Sequence, residues 1–159
     1  MKLSAQEEYG LRCLLQVARR GEGASLTIAE LARLEGISTA NVAKLMRLLR
    51  RSGFVTSTRG QAGGYTLARP ADAVSVGEVL GALGGRFYDT TFCERHAGVE
   101  SLCTHAGDCS IRPVLMQLQD TVDQVLGRLT LKSLLCSERE MALIASPRAV
   151  SLPVLPRPA

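Results

Sequence analysis

Three cysteines, Cys93, Cys103 and Cys109, stand in a C-x9-C-x5-C arrangement inside a stretch with no sustained hydrophobic period. Thiolates are soft donors that favour iron-sulfur clusters or zinc. The paired C-x2-C spacing of a zinc ribbon or finger is missing, so zinc is the weaker metal. Three thiolates leave one coordination position open. His96 and His105 lie in the same stretch, and Glu8 lies along the edge of an N-terminal apolar stripe, so each is a candidate fourth ligand. The plainer alternatives are two solvated loop histidines, an i, i+4 pair between Glu8 and Arg12, and three cysteines that are only unligated thiols. Cys13 and Cys136 fall within helical patterns and read as structural residues.

Such a site needs a scaffold and a reducing compartment. The chain has 159 residues, enough for one compact domain with an appendage. Its 46% apolar and 21% charged residues exclude wholesale disorder. No run approaches the ~20 apolar residues of a membrane-spanning helix, and Met1 to Glu8 lacks the apolar run of a signal peptide. The expectation is a cytoplasmic protein with no membrane partner. There an odd count of five cysteines points to metal or redox chemistry before structural disulfides.

The net charge of +4 is unevenly spread. Leu26 to Thr66 carries Arg33, Lys44, Arg47, Arg50, Arg51 and Arg59 against Glu30 and Glu35, whereas Arg86 to Cys109 is slightly acidic. Two regions of opposite charge imply two tasks.

Hydrophobic period and capping signals supply the elements. Ser4-x-x-Glu7, Thr27-x-x-Glu30 and Ser75-x-x-Glu78 have capping-box spacing, and each predicts a helix start. Ser38 predicts another, followed by Val42, Leu45, Met46 and Leu49 at i, i+3, i+4, i+7. Residues 54–58 and 65–67 read as a β-hairpin around the glycine-rich stretch 59–64. After the cysteine stretch, Val114, Leu118, Val122, Val125 and Leu129 form an apolar stripe on a helix from Pro113 to roughly Leu135, and that stripe asks for a partner. The expected fold is mainly α with a small β-hairpin. Its parts are a winged helix-turn-helix DNA-binding domain over 1–85, a cysteine-rich loop over 86–110, a dimerisation helix over 111–136 and a flexible tail over 137–159.

Two short helices joined at Gly36, then a basic hairpin, predict a winged helix-turn-helix on double-stranded DNA. Ser38, Thr39, Asn41 and Lys44 stand at the opening turns of the second helix, where side chains reach base edges. Asn41 has the amide for bidentate pairing with adenine. Arg47, Arg51 and Arg59, with Gly60 beside it in the wing, suit phosphate contacts. The alternative for the helix arginines is a solvated face.

These features resemble the iron-sulfur winged-helix transcription regulators, the family that includes IscR and NsrR. The resemblance runs from Met1 to about Leu135. It rests on Met1-Lys2-Leu3-Ser4, on Ile37-Ser38 through Gly53-Phe54-Val55, on Arg59-Gly60-Gln61-Ala62-Gly63-Gly64-Tyr65, and on the three cysteines before Pro113. It implies a homodimer joined by the long helix, and a 2Fe-2S or 4Fe-4S cluster on Cys93, Cys103 and Cys109. It further implies a fourth ligand from the first helix of the partner subunit, which Glu8 would supply as in the nitric-oxide-sensing branch. Arg112 stands where IscR carries a histidine, the first cysteine gap is longer than the family's usual five residues, and Ala43 replaces a base-reading glutamate found in some members. The function implied is a regulator whose operator affinity follows the state of the cluster, not an enzyme. The first rival is a cluster-free thiol/disulfide sensor on the same frame. A second, an iron-sulfur electron carrier or enzyme, lacks any nucleotide loop or catalytic constellation.

Overall fold

Reciprocal bonds between a hydroxyl and a carboxylate three residues on start the first helix. Ser4 N–H donates to the Glu7 carboxylate at 2.8 Å while Glu7 N–H donates to Ser4 Oγ at 3.3 Å, opening α1 (Ala5–Arg20). Thr27 and Glu30 do the same for α2 (Ile28–Glu35). The Glu30 carboxyl is held below its usual range by the backbone and hydroxyl donors of Thr27. Gly36 ends α2 at φ 66°, a left-handed turn that a β-carbon disfavours. The chain then enters α3 (Thr39–Arg51), capped by Ser38. These coordinates are a computed structural model that describes residues 3–21, 23–58, 63–89, 91–95, 103, 105 and 107–145.

The hairpin follows as expected. β1 (Val55–Thr58) pairs antiparallel with β2 (Gly64–Leu67), with Val55 opposite Leu67 and Thr58 opposite Gly64. Leu26 bridges the other edge of β2 through two backbone bonds to Tyr65, at 2.8 and 3.0 Å. Gly64 is required there, because a Cβ would lie 2.8 Å from the Leu26 carbonyl oxygen. Residues 59–62, and with them Arg59 and Gly60, lie outside the described residues.

Ser75 and Glu78 start α4 (Val76–Gly84), which packs on α1 so closely that a Cβ on Gly10 would meet the Leu83 methyls at 2.7 Å. Leu14, Leu31, Leu45, Leu49, Val55 and Val79, from α1 through α4 and β1, form one fully buried core. A short α5 (Phe92–Arg95) interrupts the cysteine stretch, and α6 (Ile111–Gly127) follows it.

One expectation needs correction. The helix after the cysteines stops at Gly127 instead of reaching Leu135. Beyond it Leu131 N–H bonds Val74 O at 2.8 Å, Val76 N–H bonds Leu129 O at 2.9 Å, and Thr130 pairs with Ser75. Leu131 is completely buried in the core. Core burial and the backbone bridge outweigh helical periodicity here, and Thr130 and Ser133 close the turn by mutual hydroxyl bonds. Cys136 consequently follows a 3-10 turn, Ser133–Leu135, with its thiol donating to Ser133 O at 3.0 Å. A fourth capping box, Ser137 with Glu140, opens α7 (Glu138–Ile144) within the stretch read as a tail. Residues 146–159 lie outside the described residues.

The corrected path carries a test. Leu131→Ala is expected to cost about 2–5 kcal/mol, the range for a large-to-small change in a packed core. Denaturant unfolding measures it; a loss near zero would mean that residue 131 lies on an outward helix after all.

Candidate functional site

Burial of Val42, Leu45, Met46 and Leu49 turns the other side of α3 to solvent. Ser38, Thr39, Asn41, Lys44, Arg47 and Arg51 are all exposed, and Lys44, Arg47 and Arg51 recur at three and four residues along one side. No acidic residue occupies the first turn of α3, so the helix's own partial positive charge adds to theirs. Ser38 Oγ accepts the Asn41 N–H at 3.3 Å, which leaves its hydroxyl proton as a donor. Arg50 donates to Ser57 Oγ at 3.2 Å and ties α3 to β1. Its role as a strut was not read from sequence, because its i+7 partner lies on a strand whose register appears only once the hairpin forms. The helix and the described part of the hairpin thus form one basic, polar face suited to a duplex.

Cys93, Cys103 and Cys109 lie apart from the core. Cys93 on α5, and Cys103 and Cys109 outside regular structure, are half-buried free thiols. Among the described residues no three His, Cys, Asp or Glu side chains gather to hold a metal ion. Within a single chain, therefore, the structure does not converge the three sulfurs. His105 is exposed, and His96 lies outside the described residues. An open groove of about 570 Å³ runs past Tyr88, Cys93, Glu94, Arg112 and Asp120. The Tyr88 hydroxyl sits 3.9 Å from Cys93 Sγ. It is held above its usual range first by burial, then by its bond to Cys93 and the Cys93 charge; Cys109 adds to the shift and Arg112 opposes it.

Glu8 projects from α1, half exposed, and its carboxylate receives Arg12 at 3.3 Å, the i, i+4 pair weighed above. Arg12 has a second and closer carboxylate. Its Nε donates to Glu35 Oε2 at 2.6 Å, and its NH2 group reaches the Glu35 backbone carbonyl at 3.3 Å. Gln16 donates to the other Glu35 oxygen at 2.6 Å. Glu35 is the last residue of α2, and its carboxylate is buried against α1. This network fastens the helix that carries Glu8 to the helix preceding α3. Sequence reading missed it, since i to i+23 pairing leaves no local signal. Both acids keep the Arg12 guanidinium more firmly protonated than usual, Glu35 chiefly. Next to it, burial pushes the Cys13 thiol up to about 11, the Glu35 charge adding and Arg12 opposing. Cys13 is therefore a neutral core residue near pH 7.

Comparison with known proteins adds to this geometry. The Rrf2 family, described as iron-dependent transcriptional regulator, matches residues 3–137. IscR of Escherichia coli (strain K12 / DH10B) is 31% identical over 134 residues, covering 84% of this chain and 80% of that protein. Protein rrf2 of Nitratidesulfovibrio vulgaris is 43% identical over 83 residues, 52% of this chain and 55% of its own length. Among solved structures, CymR, the global cysteine regulator of B. subtilis, superposes with a TM-score of 0.67 at 27% identity, over 85% of this chain and 96% of that one.

Sharing of Arg12 can be measured by a double-mutant cycle. Arg12→Met strands the buried Glu35 carboxylate with Gln16 alone and should lower the melting temperature. Adding Glu35→Gln removes the stranded charge, so the double variant should melt above Arg12→Met. Strict additivity of two losses would show that the pair is uncoupled.

Proposed function

This chain belongs to the Rrf2 family of transcriptional regulators, and on that premise we propose that it binds operator DNA as a homodimer whose affinity is set by an iron-sulfur cluster on Cys93, Cys103 and Cys109. The observation that carries the DNA-binding half is the outward basic stripe of α3, held beside the hairpin by Arg50 and Ser57. In this reading Asn41 reads a base edge with help from Ser38, Thr39 and Lys44. Arg47, Arg51, Arg59 and Gly60 hold the phosphate backbone.

The dimer seam is assigned to α6. Ile111, Val114, Leu118 and Val125 are each about half exposed or more in the single chain, an apolar face that a second copy would cover. Among the described residues no helix is long and apolar enough to cross a membrane.

The donor chemistry fits an iron-sulfur group: three soft thiols outside the core, none in a disulfide, and in Glu8 a half-exposed carboxylate for a fourth position. When bound, such a group supplies metal–thiolate bonds that respond to oxidation, nitric oxide or iron supply. The protein's own share of the switch begins at Glu8. Were the Glu8 carboxylate to bind a metal, less of its negative charge would be left for Arg12, and the guanidinium would lean further on Glu35 at the end of α2. That shift falls on the contact between α1 and α2, immediately before the turn into the recognition helix, where a small rotation alters the match to two half-sites.

A second reading, the cluster-free thiol switch, draws on the likeness to CymR. Anaerobic purification separates the two. The cluster reading expects a brown protein with iron and acid-labile sulfide, and a colourless variant when Cys93, Cys103 and Cys109 are all serine. A serine variant that keeps its full iron content would overturn it. A colourless wild-type protein that gains a disulfide on mild oxidation would establish the thiol switch instead.

A further inference from the structure

The fully buried residue of α6 is an amide, Gln119, only 5% exposed, whereas Leu115, Val122 and Leu126 are half-buried and Ile111, Val114, Leu118 and Val125 are exposed. Burial of a primary amide is unfavourable unless both of its ends are bonded. Both are. Gln119 Oε1 accepts the Tyr88 backbone N–H at 2.9 Å, and Nε2 donates to Asp123 Oδ1, one turn further along, at 2.8 Å. Asp123 in turn receives Arg86. Residues 86 and 88, where the chain leaves α4 for the cysteines, are thereby pinned to one turn of α6.

The pin continues to a sulfur. The Tyr88 ring is buried, packs against Phe92 with centroids 5.2 Å apart, and brings its hydroxyl to 3.9 Å from Cys93 Sγ. Phe92 and Cys93 are consecutive residues of α5, so the Tyr88 ring touches that short helix at both its stacking partner and its thiol. From Cys93 to α6 the path is thiol, tyrosine ring, tyrosine backbone and glutamine amide.

We propose that Gln119 is the positioning residue through which a change at Cys93 reaches α6, with Tyr88 as the link. The inference rests on the reading of Cys93 as a cluster ligand. A sulfur that changes partner changes its contact with the Tyr88 hydroxyl and with it the seat of the ring. The backbone N–H of the same residue is the one that Gln119 holds. An amide with both ends committed cannot accommodate that movement locally without leaving a buried group unpaired, so the displacement passes to α6. An apolar residue at 119 would fill the space without transmitting direction. Because α6 is the assigned dimer seam, its displacement alters the spacing of the two recognition helices.

Two quantities test this in the full-length chain. One is the alkylation rate of Cys93 by iodoacetamide in metal-free, reduced protein, followed by peptide mass spectrometry. The other is the ratio of DNA affinities between the anaerobically purified and the metal-free protein, on a duplex that wild type selects from a random library. Gln119→Met keeps length and apolar bulk but drops both bonds. It is expected to raise the Cys93 rate about fivefold, the factor for one ordinary hydrogen bond, and to bring the affinity ratio near one. Gln119→Glu combined with Asp123→Asn retains the acceptor for Tyr88 N–H and exchanges donor and acceptor in the second bond, and should restore both. Should Gln119→Met fail to fold, Tyr88→Phe leaves the Gln119 bond intact, breaks the link at the hydroxyl, and should narrow the ratio equally. Wild-type rate and ratio in a folded Gln119→Met or in Tyr88→Phe would overturn the role of Gln119 while leaving the cluster reading in place. A wild-type ratio of one, by contrast, would remove both.

Discussion

The seating of α3 in the core governs the rest of this molecule. Val42, Leu45, Met46 and Leu49 are buried beneath it, against α1, α4 and β1, and a helix has only one way to satisfy that stripe. Lys44, Arg47 and Arg51 are thereby directed outward with no charged partner needed to aim them. The turn at Gly36 and the Glu35 carboxylate under Arg12 set where α3 begins; Arg50 on Ser57 sets where the hairpin stands beside it. Any signal that acts on DNA affinity must therefore work through contacts at the edge of this core, because the close-packed interior itself does not deform gradually.

Those edge contacts are polar and belong to two helices. On one side, Arg12 is shared by Glu8 and Glu35, so that the helix bearing a candidate metal ligand is also the helix braced on α2. On the other, Gln119 and Asp123 gather residues 86 and 88 onto α6. Cys93, Cys103 and Cys109, which follow residues 86 and 88, lie outside the hydrophobic core cluster.

Much of the fold was legible in the sequence because it is written locally. Capping boxes at Ser4, Thr27 and Ser75 mark helix starts that the structure reproduces, and the glycine-rich stretch between two β-branched runs marks the hairpin. The capping box at Ser137 was equally local, but it was masked by the proline-rich residues that follow. The extent of α6 was misread for a different reason: Leu129 continues the apolar period of α6, yet Leu131 is drawn into the core by a backbone bridge to Val74 that no periodicity encodes. For the site, the exposed residues of α3 follow from the buried ones, whereas Arg12–Glu35 and Tyr88–Gln119 join residues 23 and 31 positions apart and emerge only from the folded chain.

The claim on which the account turns is that the metal state of the cysteines changes the grip on DNA. Fluorescence anisotropy with a selected duplex measures this directly when the anaerobically purified protein and its chelator-stripped form are titrated at the same salt concentration. The account expects dissociation constants that differ by about tenfold or more, a coupling of about 1.4 kcal/mol. Equal constants in the two forms would contradict it.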